Sequence, residues 1–78
     1  MTRIYYYVLS AGTLWEVRRE RAHLSFHSTK DVAMEVGRTA AKSEYDRTGN
    51  PTGLRVQKAD GTWQEERSYG LDPYPPRG

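Results

Sequence analysis

The stretch STKDVAMEVGRTAAK, residues 28–42, decides the fold of this chain because its apolar and small side chains recur at helical spacing. Ser28 or Thr29 can cap the helix, and Asp31 lies three residues after Ser28, a variant of the capping box. A close approach of this helix to a sheet would explain Gly37, which costs about 1 kcal/mol of helix propensity relative to alanine. The stripe consists mostly of small residues: Val32, Val36, Ala40 and Ser43, with Ala33, Gly37 and Ala41 beside it.

Strands are predicted before the helix. The first segment is rich in Tyr and Val and has no breaker, and the other two alternate apolar with polar side chains. These three segments are residues 4–10, 14–19 and 23–27.

The segments after the helix predict two more strands. The helix should end within residues 45–48, because Gly49 suits a left-handed position and Pro51 prevents continuation. Asp60 and Gly61 form a strong hairpin turn between the strands, which are residues 54–57 and 62–67. The order β-β-β-α-β-β predicts an α+β fold, a single antiparallel sheet with one helix packed on one face.

The alternation assigns side chains to the two faces of this sheet. The residues expected toward the helix are Trp15, Val17, Leu24, Phe26, Leu54, Val56 and Trp63. The opposite face is the candidate binding face, and the residues chosen for it are Tyr5, Tyr7, Arg18, His23, His27 and Arg55. A sheet face of aromatics with Arg and His is how some domains stack single-stranded bases, although a solvated polar face is ordinary for an antiparallel sheet.

Composition limits the class of protein. With 78 residues there is room for one domain, and without cysteine there are no disulfides. Twelve basic and ten acidic residues are mixed along the chain, whereas a dedicated nucleic-acid binder concentrates its basic residues. The apolar run at residues 4–9 is too short for a membrane helix or a secretory signal. We therefore expect a cytoplasmic protein of bacterial type with no membrane partner.

No residue pattern predicts catalysis, a metal or a cofactor. His23 and His27 are four residues apart on a predicted strand, a span of about 13 Å, which disfavours shared ligation of a metal. Glu65 and Glu66 are neighbours on a strand and point to opposite faces, so they make a poor acid and base pair. We expect no enzymatic activity.

The C-terminal segment SYGLDPYPPRG, residues 68–78, has neither helical nor strand periodicity, so the domain is assigned to residues 1–67. Its apolar side chains would gain from burial, and its prolines lower the entropy lost on ordering. We expect this tail to pack on the domain as a latch; the alternative is a polyproline-type ligand for another protein. The tail residues singled out are Tyr69, Leu71, Asp72, Pro73, Tyr74 and Pro75.

The segments FHSTKDVAMEVGRTAAK and SYGLDPYPPRG, together with the Asp-Gly turn, resemble the bacterial family domain of unknown function 2188. The matching elements are Trp15 and Val17, Thr29 with Lys30 at the helix start, and residues 68–75. This resemblance implies a small single domain with a recurring tail, and it implies no activity.

The sequence therefore predicts a non-catalytic domain that binds a macromolecule. A protein partner is favoured, and nucleic-acid binding through the polar sheet face is the alternative. Residues 4–9 could also form an exposed edge strand that pairs with a second copy of the chain.

Overall fold

A computed structural model of the protein describes residues 3–70. One helix and five strands follow one another in the predicted order: β1 (Ile4–Ala11), β2 (Leu14–Arg19), β3 (Ala22–His27), α1 (Lys30–Thr48), β4 (Thr52–Gln57) and β5 (Trp63–Tyr69). The α+β class and the order of elements are confirmed.

The sheet is mixed, so the prediction of an antiparallel sheet is wrong. Its strand order is β3-β2-β1-β4-β5, with β1 and β4 parallel and the other neighbours antiparallel. The strands β1 and β3 run in the same direction. After β3 the helix carries the chain back to the end of the sheet where β1 begins, so β4 runs parallel to β1. Because β1 is the central strand, residues 4–9 are not an edge. The edges among residues 3–70 are β3 and β5.

The helix begins and ends at the predicted residues. The Thr29 side chain accepts a hydrogen bond from the Val32 amide at 3.2 Å. At the other end Gly49 has a φ of 77°, and its amide donates to the Tyr45 carbonyl at 2.8 Å. Only glycine adopts this left-handed conformation without cost, which explains why the helix ends there.

The core lies between α1 and the central strands. A Cβ atom on Gly37 would lie 2.7 Å from Leu54 Cδ1, so glycine is what allows the helix to approach the sheet this closely. This confirms the reason predicted for Gly37. The buried apolar residues are Tyr6, Val8, Val17, Ala33, Ala41, Leu54 and Val56.

The face assignment is correct for the central strands and wrong at both edges. Three of the seven residues expected toward the helix are buried beneath it: Val17, Leu54 and Val56. Trp15 is half-buried and packs against the same core. Leu24, Phe26 and Trp63 are instead exposed, at 46%, 52% and 43%.

A bulge between β2 and β3 explains the error in β3. Val17 lies opposite Ser25, but the next residue of β2, Arg18, lies opposite His23. Leu24 is therefore an extra residue without a partner on β2. An extra residue reverses the alternation of the strand, so His23 and Ser25 point to opposite faces.

This reversal moves His27 off the candidate binding face. Phe26 lies opposite Glu16, whereas His27 lies opposite Trp15 and so shares the face that α1 covers. His27 Nε2 is 2.8 Å from the Ser25 hydroxyl on the same side. The prediction that His27 belongs to the binding face is wrong.

A second bulge explains the position of Trp63. Trp63 and Tyr69 are six residues apart and would share a face of a regular strand. The register between β4 and β5 shifts between Leu54 and Arg55, which separates them. Tyr69 packs against the core, and Trp63 contacts Tyr7 on the other face.

The beginning of the predicted tail belongs to the sheet, because β5 continues to Tyr69. The other tail residues chosen from the sequence, Leu71, Asp72, Pro73, Tyr74 and Pro75, lie outside the described residues. Within residues 3–70 no helix is long and apolar enough to cross a membrane.

Candidate binding surface on the outer sheet face

The face of the sheet opposite α1, called the outer face below, is built around β1. Tyr6 and Val8 of this strand are buried under the helix, so alternation places Tyr5, Tyr7 and Leu9 on the outer face. In the part of the chain from residue 3 to residue 70, the one helix lies on the opposite side of the sheet, and no helix or strand covers the outer face. Among the described residues, its half-buried tyrosines are therefore covered only by their neighbours on the sheet.

Three aromatic residues, Tyr5, Tyr7 and Trp63, form an aromatic cluster across the outer face. The ring centroids of Tyr5 and Tyr7 are 6.3 Å apart, and those of Tyr7 and Trp63 are 5.2 Å apart in an edge-on arrangement. The Arg55 guanidinium carbon lies 3.6 Å from the centroid of the Tyr5 ring, a cation–π contact. A Cβ atom on Gly53 would lie 2.8 Å from Tyr5 Cε1, so this glycine leaves space for the ring.

A second group of side chains on the outer face surrounds a buried carboxylate. Glu16 is 6% exposed and accepts a hydrogen bond from Arg18 Nε at 2.9 Å. His23 Nδ1 lies 2.9 Å from the same carboxylate oxygen, and the His23 ring is 4.6 Å from that of Phe26. The hydrogen bond from Arg18 lowers the pKa of Glu16 below its usual value. This carboxylate is therefore held in its charged form.

A shallow cavity of about 280 Å³ lies between the two groups. Its lining combines aromatic and aliphatic side chains with charged side chains of both signs. Glu20 at the rim has a φ of 54° and accepts a hydrogen bond from the Tyr5 amide at 2.7 Å, which fixes the turn after β2. The lining residues are Tyr7, Leu9, Arg18, Glu20, Arg21 and Trp63.

The sequence predicted most of this surface but not all of it. Five of the six residues chosen for the binding face are brought together there: Tyr5, Tyr7, Arg18, His23 and Arg55. Trp63 and Phe26 were expected on the opposite face, and no role was predicted for Glu16. No signal in the sequence reveals the two bulges that bring Trp63 and Phe26 to the outer face.

The largest shifts in pKa belong to a network on the other side of the sheet. Glu44 is 3% exposed, and its oxygens accept hydrogen bonds from Tyr6 at 2.5 Å and from Arg19 at 2.8 and 2.7 Å. The bonds from Arg19 lower the pKa of Glu44 to about 2, and burial raises the pKa of Tyr6 to about 12. Perturbed groups often mark active sites, but Tyr6 and Glu44 are buried between helix and sheet, and Glu44 is already paired with Arg19. The network joins α1 to β1 and β2.

The remaining surface carries weaker candidates. An open depression of about 470 Å³ on α1 is lined by polar and charged residues, and its Lys42 and Asp46 form an ion pair at 2.8 Å. Between residues 3 and 70 no group of three or more His, Asp or Glu side chains could hold a metal ion. The outer face is therefore the surface where aromatic and charged side chains converge.

Comparison with known proteins identifies the family of the chain. No curated protein and no solved structure matches it. Residues 5–69 match the family described as an uncharacterized protein conserved in bacteria (DUF2188). This match covers the helix and all five strands except Ile4, and it spans well over half of the 78-residue sequence. The protein is therefore a member of the DUF2188 family.

Proposed function

We propose that this domain is a non-catalytic binding module that recognises a partner protein through the outer face of its sheet. The observation that carries the proposal is the exposure of large aromatic side chains on that face: Trp63 is 43% exposed and Phe26 is 52% exposed. Tyr, Trp and Arg dominate the binding energy of protein interfaces, and the aromatic cluster with Arg55 supplies all three types.

The charges of the outer face favour a protein over a nucleic acid. Arg18 is paired with Glu16, and Arg55 lies opposite Glu65 on the neighbouring strand. A phosphate backbone is bound by a concentrated basic surface, whereas mixed charges around an apolar centre are typical of a protein interface.

The acidic groups favour binding over catalysis. A general acid at neutral pH needs a raised carboxyl pKa. The pKa values of Glu16 and Glu44 are instead lowered, in each case first by a hydrogen bond from an arginine. These two buried carboxylates are suited to holding arginines in place.

Site-specific photo-crosslinking in cells that carry the native gene tests the proposal. A benzoylphenylalanine placed at position 63 should give a discrete adduct with a protein, because that position lies on the proposed interface. The same group at Thr39, exposed on α1, is the matched control and should give none. Equal adducts at both positions, or none at position 63, would contradict the proposal.

Binding of single-stranded nucleic acid is the second candidate. It is favoured by one observation, the row of aromatic rings on the outer face, with the Arg55 guanidinium lying over the Tyr5 ring. Fluorescence anisotropy with a mixed-sequence oligonucleotide tests it. Affinity should fall with salt with a slope of about −0.7 per phosphate contacted, and Arg18→Ala with Arg55→Ala should weaken binding and flatten the slope. Lack of binding at low salt would exclude this candidate.

A further inference from the structure

The two edges of the sheet differ in charge. The strand β5 carries Glu65, Glu66 and Arg67 within its seven residues. The strand β3, AHLSFH, contains no Asp, Glu, Lys or Arg. Proteins commonly protect an edge strand from pairing by placing charged side chains on it. The β5 edge has this protection and the β3 edge does not.

The β3 edge also exposes apolar side chains. Leu24 and Phe26 are 46% and 52% exposed, which places both among the most exposed large apolar residues of the described chain. Leu24 is the extra residue of the bulge and has no partner on β2. Within residues 3–70 the far side of β3 pairs with no strand. Both edges contain a bulge, so the bulge alone does not distinguish them.

We propose that β3 is a self-association edge, pairing antiparallel with the β3 strand of a second copy. A two-fold arrangement brings this strand against itself. Because the strand has no Asp, Glu, Lys or Arg, no carboxylate, ammonium or guanidinium group meets its own copy in any register, whereas two β5 edges would bring Glu65 and Glu66 near their own copies. The product is a continuous sheet of ten strands, twice the five of one copy. This inference does not depend on the proposed binding function.

The size of the contact predicts a weak dimer. A six-residue edge with two exposed apolar side chains is small beside the roughly 1,200–2,000 Å² buried in a standard interface. We therefore expect the dimer to form only at micromolar to millimolar concentrations of the protein, as a weak or transient contact.

Sedimentation equilibrium between low micromolar and millimolar concentrations tests the proposal. The average mass of the wild-type protein should rise with concentration from the monomer value of 9.0 kDa toward twice that value. Leu24→Lys places like charges at the shared edge and should remain monomeric. Gln64→Lys makes a comparable charge change on β5 and should associate as the wild type does. A wild type that stays at 9.0 kDa throughout, or loss of association in Gln64→Lys but not in Leu24→Lys, would overturn the proposal.

Amide hydrogen exchange identifies the edge independently of the variants. Raising the concentration should slow exchange at outward-facing amides of β3 and leave those of β5 unchanged. Slower exchange confined to β5, or no concentration dependence in β3, would refute pairing through β3.

Discussion

Replacing Glu44 by glutamine should destabilise the domain in a pH-dependent way. Glu44→Gln keeps the shape of the side chain but removes the charge that accepts hydrogen bonds from Tyr6 and Arg19. The pKa of Glu44 is about 2 in the folded protein, against 4.5 for an unperturbed glutamate. At about 1.4 kcal/mol per pKa unit, this difference corresponds to about 3 kcal/mol of stability at neutral pH.

The sign of the pH dependence follows from the direction of the shift. A lowered folded-state pKa means that the contribution is complete above about pH 4.5 and is lost as pH falls toward 2. At pH 3 roughly half of it should remain. The wild type and Glu44→Gln should therefore differ by about 3 kcal/mol at pH 7 and by about half as much at pH 3.

Urea titrations of both proteins at the two pH values measure this difference. Other carboxylates also titrate between these pH values, but their contributions cancel when the unfolding free energy of the variant is subtracted from that of the wild type. Glu35→Gln is the matched control, since Glu35 pairs with Arg38 on the exposed surface of α1 and its side chain is 69% exposed. If the unfolding free energies of wild type and Glu44→Gln differ by the same amount at pH 7 and pH 3, the negative charge of Glu44 does not stabilise the fold as proposed.

Three further changes test the packing. Trp15→Ala should lower the free energy of unfolding by about 2 kcal/mol, less than the roughly 3–5 kcal/mol lost at a fully buried Trp, because Trp15 is half-buried. A thermal melt measures the change, and an unchanged melting temperature would contradict the packing of Trp15 against the core. Gly37→Ala should destabilise the domain by about 1 kcal/mol, because the clash with buried Leu54 outweighs the gain in helix propensity. A urea titration measures this change, and a stabilised variant would show that the helix can move away from the sheet. Removing residues 71–78 should lower the urea midpoint and slightly lower the m-value if the tail is a latch, whereas identical values would favour the ligand alternative.

The sequence was sufficient for the elements and for the centre of the sheet. Periodicity and capping residues located α1, and the alternation of β1 placed Tyr5 and Tyr7 on the outer face. The direction of β4 was not predictable from local pattern, because it depends on where the chain returns after the helix. The bulges were not predictable either. Each inserts one residue and reverses the face of everything beyond it, which is why His27 and Trp63 were misplaced.

The partners of a buried charge show a related limit of prediction from sequence. Glu44 follows Glu35 by nine residues, which is half a turn out of phase on a helix, so the helical period places the two on opposite faces of α1. Glu44 instead continues the buried stripe of Ala33, Gly37 and Ala41, so its burial follows from the period, whereas its partners do not. Only the meeting of β1, β2 and α1 brings Tyr6 and Arg19 to it. Contacts between distant segments are fixed by tertiary packing, so a single sequence does not reveal them.

The central claim is that the exposed aromatic residues of the outer face bind a partner and are not needed for the fold. The most direct measurement is the affinity of a partner identified by crosslinking for wild type, Trp63→Ser and Val32→Ser. Val32 is the matched control because it is 49% exposed on α1, far from the outer face in the fold. We predict that Trp63→Ser weakens binding by about 30-fold or more, as expected for a hot-spot tryptophan, while Val32→Ser binds as the wild type does. Unchanged affinity in a folded Trp63→Ser would contradict the claim.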